Sequence, residues 1–208
     1  MSSASLGSMV NRGDMPAARR NATATRILDV ALRLVQVRGY NAFSYADISA
    51  ELRITKASLH HHFRTKAELG TALVSGYRRD FLAALDEIDR RGGDAPAKLA
   101  AYAALYLQVL RADRMCLCGI LAADFETLPK AMRREVTEFF RANEVWLTGI
   151  FEHGRLAGTL RFDGDPGVMA CVVLSSLEGA LLVARSYGGV RSFEAVVKKL
   201  LDGLRVRS

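Results

Sequence analysis

Residues 44–66 read SYADISAELRITKASLHHHFRTK, and this stretch decides the fold. Ser44 is a natural N-cap, and Asp47 three residues on approximates the S-x-x-E/Q spacing of a capping box. Ile48 and Leu52 stand i, i+4 and share one face of the short helix that follows. Thr55 is the next N-cap, and KASLHHHF makes a helix of barely two turns, with Leu59 and Phe63 as its i, i+4 apolar pair. Lys56, Ser58, His60 and His61 are left facing outward. Thr65-Lys66-Ala67-Glu68 carries a full capping-box signature for a third helix.

Two small helices at an angle, the second offering short polar and basic side chains, form the geometry of a helix-turn-helix, whose second helix enters a DNA major groove. Here the chain resembles the TetR-type repressors. The matching residues are Ile27-Leu28 and Ala31, Gly39-Tyr40, Asp47-Ile48, Thr55-Lys56-Ala57-Ser58-Leu59, His62-Phe63, and Lys66 with Leu69. His60 and His61 depart from the pattern, which commonly has aromatics such as Tyr there, and Arg64 stands where Pro is common. The rest of the chain is similar to the family in helical layout alone.

Working outward, residues 1–69 carry 10 Lys/Arg against 5 Asp/Glu, whereas 70–208 carry 19 against 17. Of the net +7, the motif-bearing third therefore holds +5, as a polyanion-binding module should. Half of the 208 residues are hydrophobic and only four are Pro, which favours a packed all-α protein. Residues 1–21 are rich in Ser, Ala, Gly and Arg without an apolar period, and read as a disordered basic arm including Arg19 and Arg20. Thr23 is the expected start of the first helix, in which Ile27, Leu28, Ala31, Leu34 and Val35 recur at helical spacing up to Gly39.

After the helix-turn-helix domain of residues 22–66, residues 67–208 read as a larger helical domain for ligand binding and dimerisation. A long helix from Lys66 to about Arg91 carries Leu69, Leu73, Tyr77, Phe81, Leu85 and Ile88, and can act as a lever. KLAAYAALYLQVL is apolar almost all round and hence central. A short helix, ILAADFETL, is followed by a long one from Pro129 to about Ala157. Asp163-Gly164-Asp165-Pro166 starts the next, reaching about Tyr187, and Ser192 is the expected cap of the last, FEAVVKKLLDGL. No apolar run is expected to span a membrane, nor is a secretory leader indicated, and a cytoplasmic location follows. The last two helices have more apolar surface than a peripheral helix needs. By resemblance, the corresponding pair meets a twofold mate in a four-helix bundle, giving a homodimer.

Tyr102, Tyr106, Phe125, Trp146 and Met169 are the candidate lining of a mostly apolar ligand cavity, although buried Tyr is more often plain core. Consecutive histidines on a helix point about 100° apart and cannot converge on a metal, so neither a metal site nor a cofactor is expected. No nucleophile elbow, zinc-protease motif, phosphate loop or dinucleotide fingerprint occurs, and enzyme chemistry is disfavoured. Cys116 and Cys118 form the remaining candidate pair. A helix N-terminus and nearby Arg114 should lower the thiol pKa. Cys116-Leu117 is similar to the cysteine segment of TetR-like regulators of electrophiles and hypochlorite.

The expectation is a dimeric DNA-binding regulator, a repressor of a palindromic double-stranded operator, released by a small effector. Lys56, Ala57, Ser58, His60 and His61 are expected in the major groove, with Ser44, Tyr45, Thr55 and Lys66 holding phosphates. The alternatives are a thiol-based sensor triggered at Cys116 and a helical enzyme or binding protein with no DNA role.

Overall fold

The computed structural model describes residues 17–206, with side chains from residue 22 onward. The elements run α1 (Ala17–Arg38), α2 (Tyr45–Leu52), α3 (Lys56–His62), α4 (Lys66–Arg91), α5 (Ala95–Arg111), α6 (Leu117–Ala123), a 3-10 turn (Phe125–Thr127), α7 (Lys130–Leu156), α8 (Pro166–Val183), a π turn (Ala184–Gly188) and α9 (Gly189–Leu204). The described chain is all-α, without a strand among the described residues.

Helix α1 begins at Ala17, not Thr23, because the stretch from Ala17 contains strong helix formers and no Gly or Pro. Arg19 and Arg20 therefore lie in its first turns, and only residues 1–16 of the expected arm fall outside the described residues. Ile27, Ala31 and Val35 on α1 are fully buried. They share a small core with Ile48, Leu59, Phe63 and Leu69 that holds α1, α2 and α3 together.

The larger core is built by α4, α5, α7, α8 and α9, with α7 packed along α8 and α4. Tyr102, Tyr106, Phe139, Phe151 and Phe193 are its largest fully buried side chains. Each such ring contributes about 2–3 kcal/mol by leaving water. Gly70 lets α4 approach its neighbours: a Cβ there would lie 2.5 Å from the Met132 sulfur and 2.9 Å from the Tyr40 ring.

The ends of the last helices depart from expectation. The chain stays helical through the π turn, and Gly188 replaces Ser192 as the N-cap of α9. A Cβ at Gly188 would meet Ser192 at 2.3 Å, so only Gly fits that close approach. The segment Pro166–Leu204 is, by length and composition, apolar enough to cross a membrane, contrary to the expectation that no run reaches that size. Its packing explains the composition. Ala170, Val173, Leu177 and Leu181 are buried against the core, while Val168, Val172, Leu182 and Val183 remain exposed on the other side.

Candidate nucleic-acid interface and the core behind it

The interface starts from three well-made helix ends. Ser44 accepts from the Asp47 amide at 3.4 Å and its own amide donates back to the Asp47 carboxylate at 2.7 Å, a complete capping box. The Ser44 hydroxyl and amide hold the Asp47 carboxyl below its usual range, with Arg38 adding to the effect. Helix α2 ends on Arg53 at φ 54, a left-handed conformation that turns the chain toward α3. Thr55 caps α3 by accepting from the Ser58 amide at 3.1 Å. Thr65 caps α4 through the Glu68 amide, but the Glu68 carboxylate takes the Arg64 amide, one residue before the cap, so the expected reciprocal box is shifted.

Leu59 anchors α3 from below, and Lys56, Ala57, His60 and His61 are exposed with Ser58 half-buried beside them. The His60 ring packs on Tyr45 with centroids 4.8 Å apart, and its Nδ1 lies 3.0 Å from the Arg64 carbonyl. A carbonyl only accepts, so Nδ1 carries the proton and Nε2 is the ring edge left for an outside partner. His61 contacts the His62 ring edge-on.

Two of the expected phosphate contacts are engaged inside the protein. Tyr45 donates its hydroxyl to the Phe63 carbonyl at 2.8 Å, and burial followed by the Glu68 charge raises its pKa to about 12. The Lys66 ammonium donates to the Phe43 carbonyl at 2.6 Å and sits over the Tyr40 and Phe43 rings, 4.6 and 4.4 Å from their centroids. Burial lowers its pKa, with Asp47 opposing. Lys66 thus fastens the start of α4 to the loop before α2, because a carbonyl and two ring faces lie nearer than solvent. Ser44 and Thr55 remain exposed, each using its hydroxyl as a helix cap.

A direct connection to the larger domain was invisible in the sequence. Buried Gln36 on α1 donates from Nε2 to the Met115 carbonyl at 2.9 Å, and the Met115 amide returns a bond to the Gln36 carbonyl at 3.1 Å. Asn41 donates to Thr127 at 2.9 Å. The segment preceding α6 is therefore tied to α1 by two hydrogen bonds.

Of the five expected pocket residues, three come together. Tyr102 and Tyr106 have hydroxyls 3.2 Å apart, and Tyr102 donates to the buried Asn143 carbonyl oxygen at 2.8 Å. Trp146 stacks on Tyr102 with centroids 5.5 Å apart, and its indole N–H donates to Asp89 at 2.8 Å. Trp146 also borders a cleft of about 560 Å³ that includes Asp89, Asp94, Lys98 and His153. Of the five, only Trp146 lines this cleft: Tyr102 and Tyr106 are packed into the core behind it, and Phe125 and Met169 lie elsewhere. Phe125 instead belongs to the 3-10 turn, where the Arg133 guanidinium lies 6.0 Å from its ring. Met169 packs half-buried at the start of α8.

The cysteine expectation is reversed. Cys116 and Cys118 are buried, and burial raises both thiols well above their usual pKa, with the Glu178 charge adding to it. The Tyr77 hydroxyl lies 3.8 Å from the Cys116 sulfur. The helix-terminus argument assumed a wet, basic setting, whereas the fold supplies a dry, acidic one.

Glu178, unforeseen as a site residue, lies in this interior. Both carboxylate oxygens are buried without a hydrogen-bond partner. The Cys116 thiol and Tyr106 hydroxyl approach closely enough to offset part of the burial, yet its pKa rises to about 7. The signal available in sequence was a lone charge within the apolar run of α8.

Comparison with known proteins completes the picture. The family profile described as bacterial regulatory proteins, tetR family, matches residues 27–73. The profile described as tetracyclin repressor-like, C-terminal domain, matches residues 95–200. A TetR-family transcriptional regulator of solved structure from Agrobacterium tumefaciens is 33% identical, with a TM-score of 0.87 over 90% of this chain and 100% of that one. The transcriptional regulator AcuR of Cereibacter sphaeroides is 27% identical over 163 residues, 76% of this chain and 74% of AcuR. The transcriptional repressor KstR2 of Rhodococcus jostii is 28% identical over 190 residues, 86% of this chain and 90% of KstR2. With both halves matched in order and the helix-turn-helix formed as described, this chain belongs to the TetR family of DNA-binding transcriptional regulators.

Proposed function

We propose that this regulator is a repressor acting in the cytoplasm as a homodimer on a palindromic operator, and that a small effector entering the larger domain releases it. Members of the family are DNA-binding regulators and not enzymes. The observation that carries the reading is the outward face of α3: Lys56, Ala57, Ser58, His60 and His61 on a helix capped at Thr55 and anchored by Leu59. Ser44 and Thr55 flank that face and approach phosphates through their exposed helix starts. KstR2, which is named a repressor, supports the sign of regulation. The exposed apolar side of α8, together with Val196 on α9, supports pairing with a second copy.

Release then follows from coupling. The interior around Tyr102, Tyr106 and Glu178 touches the Cys116 segment, and Met115 next to it is bonded to Gln36 on α1. A ligand that binds better to a rearranged interior shifts the angle of the small domain, and hence the separation of the two α3 helices.

Selection of bound DNA from a random pool tests the reading. A palindrome with half-sites about one helical turn, ~34–36 Å, apart is expected. An asymmetric site, or no enrichment, refutes it.

The thiol reading retains one supporting contact, the Tyr77 hydroxyl against the Cys116 sulfur. Its burial and acidic neighbour disfavour the thiolate, which places it second. Operator release by N-ethylmaleimide from wild type, but not from Cys116→Ser, would reverse that order.

A further inference from the structure

The side chains that α3 turns outward differ in how far the protein fixes their hydrogen-bonding sense. Lys56 only donates, and the Ser58 hydroxyl does either. His61 touches the His62 ring edge-on, a contact that does not choose which nitrogen carries the proton. His60 is different, because its neighbours set its ring. One face packs on Tyr45, whose own hydroxyl is bonded to the Phe63 carbonyl at 2.8 Å. Its Nδ1 lies 3.0 Å from the Arg64 carbonyl. The Arg64 amide is in turn held by the Glu68 carboxylate at 3.0 Å, so the turn between α3 and α4 presents that carbonyl in a fixed direction.

A carbonyl oxygen only accepts, so the neutral ring keeps its proton on Nδ1 and offers Nε2 as a bare lone pair. The residue is exposed, and among the described residues Nε2 has no partner. A lone pair needs a donor. Phosphate oxygens, thymine O4, and guanine O6 and N7 are all acceptors and repel it. The donors that the major groove of B-DNA displays are the exocyclic amino groups, N6 of adenine and N4 of cytosine.

We propose that His60 is a specificity-determining residue, reading the exocyclic amino group of one adenine or cytosine in each half-site through Nε2. The proposal rests on the reading of α3 as the helix in the major groove. The fixed ring sharpens the choice: turning it to present a donor would break the bond to Arg64, so an acceptor in that place costs one bond for the one it gains. Every base pair carries one such amino group in its major groove. The contacted atom therefore identifies the interaction, not the base letter.

The test uses the full-length protein. Selection from a random DNA pool by wild type and by His60→Ala, both at pH 8, identifies the base pair whose preference is lost in the variant. Methylating the amino group of that pair, as N6-methyladenine or N4-methylcytosine, then puts a methyl group in place of the donated hydrogen. Wild-type binding should weaken about fivefold per half-site, with His60→Ala unaffected. Replacing N7 of the pair's purine by carbon, as the 7-deaza analogue, removes an acceptor and should leave the affinity ratio of the two proteins unchanged. A loss on the 7-deaza operator confined to wild type would mean that His60 donates, and overturns the proposal. So does methylation that weakens neither protein or both equally, or a variant that relaxes no position. Failure to enrich any DNA refutes the reading of α3 itself and the proposal with it, whereas the other adverse results refute the proposal alone.

Discussion

Glu178→Gln is the substitution whose effect on stability is most directly fixed by the structure. The side chain keeps its shape and loses its charge. In the folded protein, burial lifts the carboxyl from 4.5 to about 7. Between those values the folded state holds a proton that the unfolded chain has released, so wild-type stability falls as pH rises through this window and levels off above it. Below 4.5 both states are protonated and the contribution vanishes. The gap corresponds to about 3 kcal/mol at 1.36 kcal/mol per pH unit. The neutral amide has no such slope. Glu178→Gln should therefore gain about 2–3 kcal/mol on wild type between pH 5 and pH 8, a relative rise of about 5–10 °C in Tm for a chain of this size. Other titrating groups are common to both proteins and cancel in the difference. The assay is thermal or urea unfolding at several pH values with subunit concentration held constant, since dimerisation couples to stability. Parallel curves for the two proteins would refute the reasoning, because they would mean that Glu178 ionises as it does in water.

Lys66→Met should lower stability by about 1–2 kcal/mol in unfolding experiments, because the Phe43 carbonyl loses its donor, while leaving the salt dependence of operator binding nearly unchanged. A salt slope reduced by one, with stability intact, would restore the phosphate role. Gly179 is exposed with nothing within 4 Å of an added Cβ, whereas Ala180 is buried, so Gly179→Arg tests the α8 face without disturbing the core. It should yield monomers in sedimentation with weakened operator binding, and an intact dimer would place the interface elsewhere. Arg53→Gly should relieve the left-handed residue between α2 and α3 by up to about 1 kcal/mol, and Arg53→Val should instead strain that turn. Circular dichroism and thermal unfolding read both variants.

The sequence by itself determined most of what local rules govern, though not the start of α1 or the cap of α9. Ser44, Thr55 and Thr65 are caps because a hydroxyl can reach an amide two or three residues on, whatever the rest of the chain does. The apolar spacing in α1 and α4, and the exposed set on α3, follow from helical period, and α3 is exposed because only Leu59 faces in. What lies between elements was decided by tertiary structure. Lys66 looked like a free surface cation until the loop before α2 brought the Phe43 carbonyl and two rings beneath it. Cys116 has the local address of an activated thiol, yet α4, α5 and α8 close over it and invert its acidity. Gln36 and Met115 stand far apart in the chain, and no pattern in either segment announces their two bonds. Glu178 was legible only as an odd charge in an apolar helix. Charge burial depends on distant helices that surround it, and a one-dimensional pattern carries no record of what they bring.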